Sequence, residues 1–331
     1  MSENLAFVTG GNGFVGANLV RLLLQQGYSV RVLARSSSSL KTLQGLELQI
    51  VQGDLTDLDL APKLKGCRYL FHVAAHYSLW RADQEKLLQS NVYGTRNILA
   101  AAREVGVERT VYTSSVAAIG VQNSLKGIAN ENYQSPPERL IGAYKLSKYL
   151  AEQEAKRAVE TGQEIVIVNP ATPIGAWDAK PTPTGEIILR FLRRQMPFYM
   201  DTGLNFIDVQ DVAWGHLLAL QKGKCGDRYI LGNQNMTLRD FLILLESFTG
   251  LSAPKQKIPQ WIPLMVAWIE ESLLARLGRT PTLAIDSVRM AGQKMYYDSS
   301  KAIAELGLPQ TPITTAIQAA IDWYRSHGYV S

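Results

Sequence analysis

Eight residues near the start of the chain, Thr9-Gly10-Gly11-Asn12-Gly13-Phe14-Val15-Gly16, put glycines at 10, 13 and 16 between an apolar run and a helical pattern. Gly11, Gly13 and Gly16 also fit G-x-G-x-x-G. This spacing allows a tight turn, a backbone close to a pyrophosphate, and a helix packed on a strand with no Cβ between them. The helix N-terminus adds unpaired N–H groups and the positive end of its dipole. Thr9, Gly10, Gly13, Phe14, Val15 and Gly16 are therefore candidate cofactor-binding residues, with an ordinary glycine-rich turn as the alternative. About 20 residues on, where an acid would hold a ribose 2′-hydroxyl, stands Arg35, followed by Ser36 to Ser39. A guanidinium grips a 2′-phosphate in bidentate fashion, so NADP(H) is expected ahead of NAD(H), which stays possible. A solvated surface arginine is the other reading. Asp54, in Gly53-Asp54-Leu55, could accept from an adenine amino group or be an exposed turn residue.

The second constellation is Tyr144-Lys145-Leu146-Ser147-Lys148. Residues i and i+4 share a helix face, so Tyr144 and Lys148 point the same way. The ammonium is expected to favour phenolate and bring the Tyr144 pKa toward the range of a general acid or base. The pair follows Tyr112-Thr113-Ser114-Ser115, which sets a serine hydroxyl at a strand's carboxyl end, where open α/β sheets bind ligands.

The elements that must hold these residues alternate along the first half. Strand-like runs at 5–9, 28–33, 46–52, 69–73, 109–113 and 164–169 are separated by helical patterns at 14–26, 92–103 and 144–161. Strands and helices of these lengths predict an α/β fold, a doubly wound parallel (Rossmann) sheet with right-handed crossovers. Prolines 170, 173, 181, 183 and 197 then break the alternation. We expect a cofactor domain over 1–172 with a strand-and-helix return segment at about 204–222. Residues 173–203 and 223–331 are expected to form a smaller, mostly helical substrate-binding cap without a second βαβ series. The apolar stretch 258–277 reads as cap core, because Glu270 and Glu271 interrupt it and few cations flank it. A lid over a lipid-like substrate and a membrane-surface helix are the alternatives.

The 331 residues carry 34 Lys and Arg against 29 Asp and Glu, a net +5 without a basic stripe or tail, which argues against a nucleic-acid partner. Hydrophobic residues at 46% exclude wholesale disorder. Two distant cysteines, Cys67 and Cys225, support neither a disulfide framework nor a cysteine zinc site. Four histidines without metal-ligand spacing give no metal site. With neither a leader pattern nor an 18-residue apolar run, a cytoplasmic location without stable membrane insertion is expected.

TGGNGFVG, GDLTD, FHVAA, NVYGT, TSSVAAIG, YKLSK and the NP of IVNPATPIG occur here in the order in which extended short-chain dehydrogenases/reductases carry them. Across nearly its whole length the chain resembles that superfamily and, within it, the dihydroflavonol-reductase-like group. PTPTG, DTGLNFIDVQDVA and YILG add similarity to bacterial hopanoid-associated sugar epimerases. The resemblance implies Ser115, Tyr144 and Lys148 as a catalytic triad, with Ser114 as the fallback for Ser115. Tyr144 would exchange the substrate oxygen's proton, Lys148 would bind the nicotinamide ribose, and Ser115 would bond the substrate oxygen. It further implies Asn91 as a support of the active site, and Leu55, Ala74, Ala75, Pro170 and Thr172 along the cofactor. Relatives are monomers or homodimers.

Three functions follow for a small-molecule substrate. The leading one is an NADP(H)-dependent oxidoreductase interconverting a secondary alcohol and a ketone on a small or lipid-like molecule. The second is a sugar epimerase or dehydratase that keeps its cofactor. Many nucleotide-sugar members carry an arginine after the glycine that follows the sixth strand, where this chain reads Gly175-Ala176-Trp177. The third is a non-catalytic cofactor sensor, against which the intact Ser115, Tyr144 and Lys148 argue.

Overall fold

The computed structural model describes residues 4–122, 128–276 and 284–330. The first half runs β1 (Leu5–Thr9), α1 (Phe14–Gln25), β2 (Ser29–Ala34), β3 (Gln49–Gln52), α2 (Ala61–Leu64), β4 (Tyr69–His72), α3 (Gln84–Leu87), α4 (Gly94–Glu104), β5 (Arg109–Thr113), α5 (Val116–Ile119), α6 (Gly142–Glu160) and β6 (Ile165–Pro170). Then follow β7 (Thr172–Ile174), α7 (Pro183–Leu192), β8 (Phe198–Tyr199), β9 (Gly203–Asp208), α8 (Val209–Lys222), β10 (Arg228–Leu231), β11 (Gln234–Thr237) and α9 (Leu238–Thr249). The last elements are β12 (Gln256–Lys257), α10 (Trp261–Arg276), α11 (Ile285–Ala291), β13 (Lys294–Met295) and α12 (Ile313–Ser326).

Seven parallel strands form the main sheet in the order β10-β6-β5-β4-β1-β2-β3. The chain winds outward from β1 in one direction and from β4 in the other, so the crevice opens at the carboxyl ends of β1 and β4. Alternation within β1 shows why both faces are covered. Ala6 and Val8 join a core with Leu19 and Leu23 of α1 and Val212 and Leu217 of α8. Leu5 and Phe7 face the opposite core, with Ile98 of α4 and Ala151 of α6.

Three expectations about the second half need correction. Residues 228–231 were placed in the cap, but Arg228–Leu231 pairs with β6 as the seventh strand of the main sheet. The apolar run Tyr-Ile-Leu, flanked by turns, is too short to be distinguished by periodicity from a buried helix segment. Of the return segment, α8 and Ile207 of β9 pack on the main sheet, while the β9 backbone pairs with β7, β11 and β13 in a separate sheet. Its side chains, with those of α7, α9 and α12, form a third core around Phe206, Phe241 and Tyr324. Lastly, α10 is not core along most of its length. Among its described side chains, at 261–272, Trp261, Met265 and Trp268 are 60%, 55% and 64% exposed, and only Ala267 is fully covered. The last residue of that expectation, Leu277, lies outside the described residues. Among the described residues, no helix is long and apolar enough to cross a membrane.

Candidate active site

The glycine loop joins β1 to α1. Gly10 has φ +69°, and a Cβ there would lie 2.7 Å from the Ala74 backbone, so only glycine lets the two loops approach. A Cβ on Gly16 would collide with the Gly10 carbonyl. Gly13 caps α1 without a side chain, and the first turn carries no acid. The N–H groups around Phe14 and Val15 are left for an anion. This cradle, open at Gly13 and closed to any Cβ at 10 and 16, fits a dinucleotide pyrophosphate.

Thr9 plays a different part, being fully buried. The Ala74 N–H donates to Thr9 Oγ1 (3.2 Å), and the Thr9 hydroxyl faces His72 Nδ1 (2.8 Å). On the far side of the ring, His72 Nε2 meets Thr95 Oγ1 at 2.9 Å, and the Thr95 hydroxyl donates to the Asn91 carbonyl at 2.6 Å. Because Thr95 has spent its only proton, His72 must donate from Nε2 and accept from Thr9 at Nδ1. The ring is neutral, and burial first, then the Lys148 charge, hold its pKa to about 3. Asn91, on a π-turn over Leu88–Tyr93, continues the connection. Its amide clasps His76 through both backbone groups (2.7 and 3.0 Å) and donates to Ser147 Oγ on the Tyr144 helix (3.0 Å). The loop carrying Ala74 and Ala75 is thus tied to α6.

Two neighbouring serines end β5, and their surroundings separate them. Ser114 Oγ donates to Glu152 Oε2 at 2.6 Å and is buried. Ser115 is half-buried and caps α5, its Oγ accepting from Ala117 N at 3.1 Å. Its hydroxyl pulls the Tyr144 pKa down, but burial outweighs it and raises the phenol to about 12. That corrects the expectation of a lowered pKa, and the position of Lys148 gives the reason. Its Nζ donates to the Thr113 carbonyl at 3.0 Å, and burial pushes the ammonium down to about 8. The Tyr77 ring stands edge-on against Tyr144, centroids 4.6 Å apart.

At the other end of the crevice, Arg35 follows β2 and Asp54 follows β3. Arg35 Nε lies 4.0 Å from Asp54 Oδ2, with the arginine side chain 66% exposed. Asp54 Oδ1 caps its own turn, accepting from the Thr56 N–H and hydroxyl. Leu55 is buried in the core facing α4. Pro170 ends β6, fully in the sheet, and Thr172 is half-buried at the start of β7. Beyond them Trp177 takes φ +73°, and Arg21 of α1 stacks 3.5 Å over its ring.

The sequence reading missed Glu152, Asn169 and Arg228. Glu152 is four residues beyond Lys148 on the same helix face, a repeat that could have signalled it. Its Oε2 also accepts from Asn169 Nδ2 (2.9 Å), and its Oε1 pairs with Arg228 (3.0 Å) and Lys156 (3.1 Å). Asn169 donates in turn to the Ser115 carbonyl at 3.0 Å. The network positions both serines, and opposite charges with hydrogen bonds keep this buried carboxylate below its ordinary pKa although burial opposes them.

The profile of the NAD dependent epimerase/dehydratase family matches residues 6–232. A protein of Synechocystis sp. named "Putative dihydroflavonol 4-reductase" is 63% identical over 98% of this chain and 95% of its own. Sterol demethylase protein B of Methylococcus capsulatus is 34% identical over 98% of this chain and 99% of its own. Among solved structures, that of gox2253 covers 99% of this chain and 100% of its own at 42% identity and a TM-score of 0.88.

Proposed function

The chain belongs to the NAD-dependent epimerase/dehydratase family of extended short-chain dehydrogenases/reductases, and within it we propose an NADP(H)-dependent oxidoreductase that interconverts a secondary alcohol and a ketone. The observation that carries this reading is the crevice itself, with Ser115, Tyr144 and Lys148 at one end and an exposed Arg35 at the other. A nicotinamide cofactor held there supplies hydride transfer to or from the substrate carbon.

The residues divide the remaining work. First-turn N–H groups of α1 hold the pyrophosphate, and Arg35 holds the 2′-phosphate. Ala74, Ala75, Pro170 and Thr172 flank the cofactor along the crevice. The Tyr144 phenol, protonated across the neutral range, donates to a carbonyl oxygen during reduction. Ser115 Oγ bonds the same oxygen and fixes its direction. With a cofactor bound, Lys148 would hold its ribose, and the positive charge beside the phenol would make the proton easier to release. Asn91 and His72 act through the loops they tie together.

The relatives named for a dihydroflavonol and a sterol support a small or lipid-like substrate. A panel of ketones tested for NADPH oxidation, with Tyr144→Phe as the control, tests the proposal. Turnover by the wild type that is lost in the variant supports it. A chain that retains NAD through purification and leaves NADPH unused supports the sugar-epimerase reading instead.

A further inference from the structure

Lys145 follows the proposed acid directly, in the first turn of α6, and is only 2% exposed. Its neighbours give the ammonium no hydrogen bond or ion pair among the described residues. Burying an unpaired cation is costly, and the positive end of a helix dipole makes this place worse. Desolvation accordingly pulls its pKa down to about 8. The nearby acid Asp286, against Gly142, is engaged by Arg81 and Arg289. Lys145 instead opens onto a cleft of about 430 Å³ that it lines with Arg139, Tyr133, Ser135, Gln122 and Gln293. Among the described residues, no carboxylate lines it.

We propose that this cleft binds an anionic group, a carboxylate or a phosphate, of the substrate whose reacting oxygen lies at Tyr144. The cleft shares its elements with the chemistry. Gly120, on its wall, ends the helix that Ser115 begins. Lys145 follows Tyr144 directly on α6, their Cα atoms about 3.8 Å apart, so one small molecule is long enough to present its anion to the first and its reacting oxygen to the second. The bound anion would give Lys145 the partner it lacks and occupy the favourable end of the α6 dipole. This rests on the reading of Tyr144 as the acid, and it narrows the substrate to an anionic secondary alcohol or ketone.

The test uses the full chain loaded with NADP⁺ and two probes, acetate and inorganic phosphate. Acylation of Lys145 by an amine-reactive ester is read by peptide mass spectrometry, with exposed Lys255 as the internal control. One probe is expected to protect Lys145 about tenfold, the scale of one charge-assisted hydrogen bond, and leave Lys255 unchanged. Protection by acetate alone assigns a carboxylate, and by phosphate alone a phosphate. Calorimetry of the protecting probe should show binding lost in Lys145→Met and kept in Lys145→Arg. No protection by either probe, or binding unchanged in Lys145→Met, overturns the proposal. Cofactor binding is followed in the same samples. Failure to bind cofactor, with the anion still protecting, would remove the oxidoreductase reading and leave the anion site standing.

Discussion

The Lys148 ammonium donates to the Thr113 carbonyl across 3.0 Å, one helical turn beyond the phenol of Tyr144. In this arrangement the phenol is a reservoir of a proton rather than a base, with its pKa raised to about 12. Replacing Tyr144 by Phe should therefore remove the acid without disturbing the fold. We expect kcat for ketone reduction to fall about 10²- to 10⁴-fold, the usual worth of general acid catalysis. Cofactor affinity by fluorescence titration should remain close to wild type. Retained activity in Tyr144→Phe would point to another proton donor.

Glu152 is predicted to be the most sensitive polar residue behind the site. It is buried and serves Ser114, Asn169, Arg228 and Lys156 together. Glu152→Ala leaves the buried Arg228 guanidinium without its counter-charge and the Ser114 hydroxyl without its acceptor, which should cost about 3–5 kcal/mol in chemical denaturation. A loss within the range of an ordinary surface change would show that the network is dispensable.

Lys145 gives a stability test with a definite sign. Its folded pKa, about 8, lies below the ordinary 10.5, so the unfolded chain binds more protons between those values. Wild-type stability therefore gains from this group as pH rises through that window, and its full cost is felt below pH 8. Lys145→Met should be more stable than wild type at pH 7 by up to about 3 kcal/mol, the shift expressed as energy. The difference should narrow by pH 10. A constant difference across that range would contradict the burial argument.

Acid should act through the two neutral core histidines. Burial holds His72 to about 3 and His216 to about 4, against 6.5 when exposed. The folded state binds fewer protons in that window, so stability present above pH 6.5 is lost as pH falls. Between pH 7 and 5 each ring should cost about 2 kcal/mol. His216→Gln should reduce the measured loss by about that amount. Equal losses in variant and wild type would show that His216 does not carry this dependence.

Much of this was legible in the sequence because the first half is locally consistent. Glycine spacing, strand periodicity and the Tyr144–Lys148 repeat all point to one parallel sheet. The seventh strand escaped because Tyr229-Ile230-Leu231 is too short to carry a period and follows the return helix at which the cofactor domain was expected to end. The inward turn of Thr9 escaped because a hydroxyl beside a glycine loop looks equally suited to a ligand. Its partner His72 lies 63 residues away, and no local pattern records that pairing. The exposed apolar side of α10 was misread because apolar composition marks a core helix and a surface helix alike.

The measurement that bears most directly on the account is titration of the purified wild-type chain and of Arg35→Ala with NADPH and NADH. Arg35 stands exposed at the end of β2, 4.0 Å from Asp54, and is assigned the 2′-phosphate. The account predicts that the wild type purifies without cofactor and binds NADPH at least about tenfold more tightly than NADH, a difference that collapses in Arg35→Ala. A chain that purifies with tightly held NAD, or binds both dinucleotides equally before and after the substitution, contradicts it.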